Sequence, residues 1–202
     1  FHLGRLDRAR LLLVNGMNLA RQSGTQFGLA AASAWLGDVE LVAQRFDLAR
    51  AAYTDGLEMA NAGATDEYAA PLCLIGLAHL TGLTGGPLEE VRRPADEAVA
   101  RLADVANHTG LAIAHQRYAE ALEAAGHEAL ATPHRALWME HARRGDVSEC
   151  DFWPRPPEGD GPWVSRREHW KDARARAALR LTPARGTDRN TITMPSKPPG
   201  AA

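Results

Sequence analysis

Gly4-Arg-Leu-Asp-Arg-Ala-Arg-Leu-Leu-Leu-Val-Asn-Gly-Met-Asn-Leu-Ala20 and, forty positions on, Gln44-Arg-Phe-Asp-Leu-Ala-Arg-Ala-Ala-Tyr-Thr-Asp-Gly-Leu-Glu-Met-Ala60 are two copies of one segment. Six of the 17 aligned pairs are identical: Arg5/Arg45, Asp7/Asp47, Ala9/Ala49, Arg10/Arg50, Gly16/Gly56 and Ala20/Ala60. Self-similarity at a fixed period in this range marks stacked helical repeats, each too small to bury its apolar face alone. Such stacks act by presenting an extended concave surface to a partner. The duplication thus points to an all-α fold and to a mode of action, and leaves the partner open.

In the first copy Leu6, Ala9, Leu13, Met17 and Ala20 recur at helical spacing and predict an amphipathic helix over residues 6–22. Ser23-Gly24-Thr25 stops it. The chain opens at Phe1 without an initiator Met, and Gly4 already belongs to a turn between paired helices. The expectation is a fragment of a longer protein that begins in mid-repeat. Leu6, Leu13 and Met17 would then form an unpartnered face open to self-association. Further helices are predicted over residues 26–44, over the second copy as far as Asn61-Ala62-Gly63, and over 67–80 with Asp66 as cap. Three more follow over 88–105, 111–125 and 128–143. Pro71 is tolerable in a first turn, whereas Pro94 and Pro133 should each start or kink a helix. Asn107-His108-Thr109-Gly110 is read as the close of the helix over 88–105; Gly24 and Gly110, 86 residues apart, then mark two periods of 43. The whole is one unpaired helix followed by three pairs: a right-handed solenoid of antiparallel helix pairs over residues 1–145.

After Gly145 the character changes. Residues 146–162 read as a Pro-rich linker. Residues 163–181 read as a basic helix carrying Arg166, Arg167, Arg174, Arg176 and Arg180, and residues 182–202 as a disordered tail. From Val164 onward nine basic residues face three acidic ones, a balance of +6, against −8 for residues 1–163. The basic tail is expected to dock on the acidic body, with Trp163 and Trp170 supplying an apolar face; contact with nucleic acid is expected through this tail or not at all. Pro154 to Pro157 and Pro195 to Pro198 fit a short proline-recognition pattern, read here as linker. No apolar run of about 18 residues crosses a membrane, and no secretory leader is visible. Cys73 and Cys150 lie 77 residues apart without metal-ligand spacing, which suits a reducing cytoplasm.

Leu36-Gly37, then Phe46, Ala49, Tyr53 and Gly56-Leu57 resemble the pattern of tetratricopeptide (TPR) repeats. Leu6, Ala9, Leu13 and Gly16-Met17 repeat its second half, Ile75-Gly76 repeats the leucine–glycine pair, and Ala129 and Ala136-Leu137 echo its end. Small residues at Gly37 and Ala49 suit helix crossings, where axes approach to about 8–10 Å. The period of 40–43 exceeds the TPR value of about 34 and equals that of HEAT-type repeats, the alternative architecture. The longer, alanine-rich version is similar to the repeat regions of large bacterial ATP-dependent transcriptional regulators, the LuxR-type and antibiotic-pathway regulators. That resemblance implies a sensor or protein-binding part of a larger protein; no phosphate-binding Gly-x-x-x-x-Gly-Lys loop occurs in this chain.

In the repeat family the first helix of each pair lines the groove. Carried onto this chain, the resemblance implies groove residues Asp38 and Leu41, Cys73 and Leu77, and Gln116, Glu120 and Glu123. Cys73 sits in an apolar run and also suits plain packing. Asp38, Glu40, Glu120 and Glu123 lack an accompanying nucleophile, so no catalytic residue is assigned and the chain is not expected to be an enzyme. Five of eight histidines, His108, His115, His127, His134 and His141, fall close together. Intervals of seven place side chains about 10 Å apart along an axis, too far for one ion. His127-Glu128 begins like a His-Glu-x-x-His motif, but position 131 is alanine. No metal or cofactor is expected. The partner is another protein or peptide, or another domain of the parent chain, with no membrane. The alternative is an α-helical metal-dependent enzyme using the His/Glu cluster of residues 108–141.

Overall fold

The computed structural model describes residues 5–63 and 67–145. The linker, basic helix and tail expected over residues 146–202 lie outside the described residues, as do Asp66 and Cys150. Among the described residues all regular structure is helical: α1 (Leu6–Gln22), α2 (Leu29–Val42), α3 (Phe46–Asn61), α4 (Ala69–Leu83), α5 (Leu88–Asp104), α6 (His108–Ala124) and α7 (Glu128–Arg144). No helix here is long and apolar enough to cross a membrane.

One turn recurs throughout. At the ends of α1, α2, α4, α5 and α6 a residue of positive φ follows the helix: Gly24 (71°), Gln44 (58°), Gly85 (75°), Ala106 (52°) and Gly126 (87°). In each, the next backbone N–H returns to a carbonyl five residues earlier, as Arg45 does to Glu40 at 2.8 Å and His127 to Leu122 at 2.8 Å. This left-handed closure satisfies carbonyls the helix end would otherwise orphan. Gln44, Gly85 and Gly126 follow at intervals of 41 residues. Two of the five positions are not glycine, so their turns carry no glycine signal. Ala106, not Gly110, is the counterpart of Gly24, and the period is 41 rather than 43. Asn107 instead starts α6, its side chain accepting from the Gly110 N–H at 2.8 Å. A Cβ at Gly110 would meet Leu102 Cδ2 at 2.6 Å, so that glycine serves close packing.

Helices α2/α3, α4/α5 and α6/α7 pack as hairpins, while α2 lies against α4 and α4 against α6. Helix α1 rests on α2, α3 on α4, and α5 on α6. Helix α4 therefore touches four neighbours, and its sequence is apolar all round, as a surrounded helix requires. Helix α7 packs on α6 alone among the described elements, and Ala131 is its single fully buried residue. Helices α5 and α7 run continuously through Pro94 and Pro133. Neither proline delays its helix: each lies in the second turn, where it forfeits one backbone bond and crowds the carbonyl four residues earlier.

The small residues of the duplicated segment work as spacers. A Cβ at Gly37 of α2, or at Gly76 of α4, would overlap the ring of Tyr53. The Tyr53 ring thus fills a slot between three helices, and it is fully buried. A Cβ at Gly56 would meet Cys73 Sγ at 2.7 Å and Ser33 Cβ at 3.0 Å, so α3 crosses α2 and α4 closely here. On α1, Ala9 and Met17 are buried and Leu6 and Leu13 half-buried, although Leu6, Leu13 and Met17 were expected to await a missing helix. That face is turned onto α2; the exposed apolar residues of α1 are Leu11, Leu12 and Leu19.

Candidate functional site

Two polar constellations stand out. The first is a knot at the centre of the bundle. Arg117 of α6 donates from Nη1 to Asp38 Oδ1 at 2.9 Å and from Nη2 to Asp38 Oδ2 at 2.6 Å. Tyr53 of α3 donates its hydroxyl proton to Asp38 Oδ1 at 2.7 Å. Asp38 and Arg117 are 1% and 2% exposed, and 79 residues separate them. Helices α2 and α6 do not pack on one another directly, so this fork spans the flank of α4. Gly37 and Gly76 make room for Tyr53, and the ring aims its hydroxyl at the carboxylate. Burial, then the Asp38 charge, push the Tyr53 hydroxyl well above its ordinary range. Burial by itself would lower the Arg117 value, but Asp38 outweighs it and the net direction is up. The buried guanidinium is held as a cation by its partner. A neighbouring cluster is similar: Glu40, 2% exposed, accepts from Arg10 Nε of α1 at 2.7 Å and from Arg45 Nε at the turn.

The second constellation lies between α6 and α7. His108 and His141 meet Nδ1 to Nδ1 at 3.1 Å, and so do His115 and His134. His115 and His141 stack with centroids 5.6 Å apart and ring planes 13° from parallel, joining the pairs into one array. Tyr118 lies on His134 at 4.0 Å and donates its hydroxyl to Asp96 of α5 at 2.8 Å. The antiparallel run of the helices explains the pairing. Intervals of seven on each helix face intervals of seven on the other. His127, at the turn, is not in the array.

The ring geometry says what the pairs are. A ring nitrogen sits about 1.1 Å from the imidazole centroid, so rings aligned nitrogen to nitrogen at 3.1 Å have centroids about 5.3 Å apart. The observed separation is 5.3 Å in both pairs. The rings of each pair therefore aim their Nδ1 atoms at one another in line, the arrangement of an N–H···N hydrogen bond. Among the described residues no group of three or more His, Cys, Asp or Glu is placed to hold a metal ion. Burial, then the charges of His134 and His141, lower His115 to about 4. Burial is also the leading cause of the lowered values of His134 and His141.

The seven expected groove residues divide. Asp38, Leu41, Cys73 and Gln116 are buried. Asp38 is the core of the knot, Leu41 and Cys73 are packing, and these offer no open surface. Leu77, Glu120 and Glu123 are half-buried and keep access to solvent. Glu123 accepts from Arg135 Nε at 2.7 Å, and Gln116 donates to Glu120 at 3.3 Å. Arg117 and Tyr118 were missed. A charged residue and a tyrosine in an otherwise alanine-rich helix read as surface, and only their partners in other helices show the role. Compared with known protein families and curated proteins, the chain matches no family model and no curated sequence. Its action has to be read from its own geometry.

Proposed function

We propose that residues 5–145 are a right-handed stack of TPR-like helix pairs that binds a protein or peptide, or another domain of a larger parent protein. The observation that carries this reading is the repeat itself. Helices α2, α4 and α6 form a row, with their closing turns at intervals of 41 residues and the other helices packed outside. A stack of this kind offers the row's accessible side as an extended surface. Trp35, Leu36 and Leu77 are half-buried apolar residues of that row, and Leu36 and Leu77 stand one period apart. Glu120 and Glu123 extend it with acid. The partner suited to this surface offers an apolar stretch beside basic residues. The likeness to repeat regions of bacterial ATP-dependent regulators supports a sensor role within such a protein.

Leu77→Gln combined with Glu120→Lys tests the reading. The immobilised wild type should capture a protein partner, and the variant should lose it while keeping its helix content and melting temperature. Recovery of the same partner at the same yield would place binding elsewhere. A turnover lost on changing the histidines would favour the enzyme reading instead.

A further inference from the structure

Helix α7 is held from one side only. It rests on α6 alone among the described elements and buries one alanine fully. Leu130, Leu137 and Met139 on it are exposed. Its broad contact with α6 includes four imidazoles in two in-line pairs, with His115 and His141 stacked on one another. One ion pair, Arg135 with Glu123 at 2.5 Å, also crosses between the helices.

We propose that this histidine array is an acid-sensitive latch, which holds α7 on α6 while the rings are neutral and releases α7 when they take up protons. The geometry sets the limit. A neutral pair shares one proton in an N–H···N bond. When both rings of a pair are protonated, two Nδ1–H donors stand face to face and two charges lie about 3 Å apart. The charged groups around the array supply no spare anion. From α5, Arg92 and Asp96 face His134, and Asp96 is already engaged by the Tyr118 hydroxyl of α6. From α7, Glu140 and Arg144 face His141 and pair with each other at 2.8 Å. Each set sums to zero charge.

The sign follows from linkage. The latched form disfavours protonation, and the released form binds protons like free histidine, near 6.5. Latching is therefore complete above that value and is lost as the pH falls below it. At pH 5.5 each excluded proton shifts the equilibrium toward release by about tenfold. His115, 4% exposed, supplies the first factor, and His134 and His141 add to it.

Hydrogen exchange on the full chain at pH 7.5 and 5.5, corrected for intrinsic exchange rates, tests the latch. Peptides from α7 should lose at least tenfold protection at pH 5.5 relative to peptides from α4, and regain it on neutralisation. The H115Q/H134Q variant keeps neutral hydrogen-bonding groups and should lose most of this difference. Equal changes in α7 and α4, or an undiminished effect in the variant, would overturn the proposal. Should the variant fail to fold, imidazole NMR on the wild type decides. His115 titrating near 6.5 while α7 stays protected would overturn it, and titration that tracks the loss of α7 protection would support it.

Discussion

Removing one charge from the central knot isolates its energetics. Arg117→Met takes away both forks to Asp38 and leaves a carboxylate that is 1% exposed with the Tyr53 hydroxyl as its remaining knot partner. Breaking a buried pair from one side costs about 3–5 kcal/mol, because the surviving charge stays desolvated. A domain holds roughly 5–15 kcal/mol in all, so the variant forfeits a large share of its stability. At about 4 °C per kcal/mol, the midpoint should fall by roughly 10–20 °C. The double variant Asp38→Leu, Arg117→Met removes both charges and should recover most of the loss, since an apolar replacement of a buried pair is often neutral or better. The exposed pair Arg101–Glu97, with side chains 41% and 46% exposed, is the control. Arg101→Met there should change stability by less than about 0.5 kcal/mol. Urea unfolding followed by circular dichroism gives all three values. If Arg117→Met costs no more than Arg101→Met, the Asp38 carboxylate is not desolvated and the reasoning fails.

Gly37→Ala and Gly76→Ala should each cost about 1–3 kcal/mol, because the added methyl runs into the Tyr53 ring. Gly16→Ala, in a helix with nothing within 4 Å, should instead stabilise by up to about 1 kcal/mol, and thermal melts of the three separate slot from helix propensity. Ala49→Leu at a buried crossing should cost about 1–3 kcal/mol and Ala51→Leu on the exposed face little; equal effects would break the assigned register. The hydroxyls of Tyr53 and Tyr118 are both raised in the folded chain, Tyr118 to about 12. Their contribution is complete below pH 10 and is lost as the pH climbs through and above it, and Tyr53→Phe should flatten that alkaline limb of a stability–pH curve.

The helices were legible because their signal is local. The copies at residues 4–20 and 44–60 set the period-3.6 pattern of α1 and α3, and both helices begin and end within a few residues of expectation. Boundaries slipped where the deciding group leaves no local mark. Helix α6 starts at His108 because Asn107 caps it, but Gly110 is the more conspicuous breaker. The turns at Gln44 and Ala106 adopt positive φ without glycine, held by the backbone bonds around them. Pro94 and Pro133 looked like obstacles, yet both helices start several residues ahead of them and run on through.

The polar residues were harder for a different reason. In a repeat, an acid on the inner helix is most simply a groove residue, because its own helix offers nothing to bury it with. Asp38 is buried because Arg117 comes from two hairpins later and Tyr53 from the hairpin's other arm. The two glycines that admit Tyr53 lie on α2 and α4, so four helices combine to make one enclosed charge pair. The histidines show the same logic. Intervals of seven are too long for an ion on one helix, and that reading holds for each helix alone. Two such ladders running antiparallel bring the rings to 3.1 Å across the interface, a separation that no spacing within either helix encodes. Periodicity thus reports which face a residue occupies, and the chemistry of a face is fixed only when the opposite face is known. In this chain the opposite faces of both clusters belong to α6, whose contribution begins with Arg117 and Tyr118, adjacent residues that point one way into the knot and the other toward the latch.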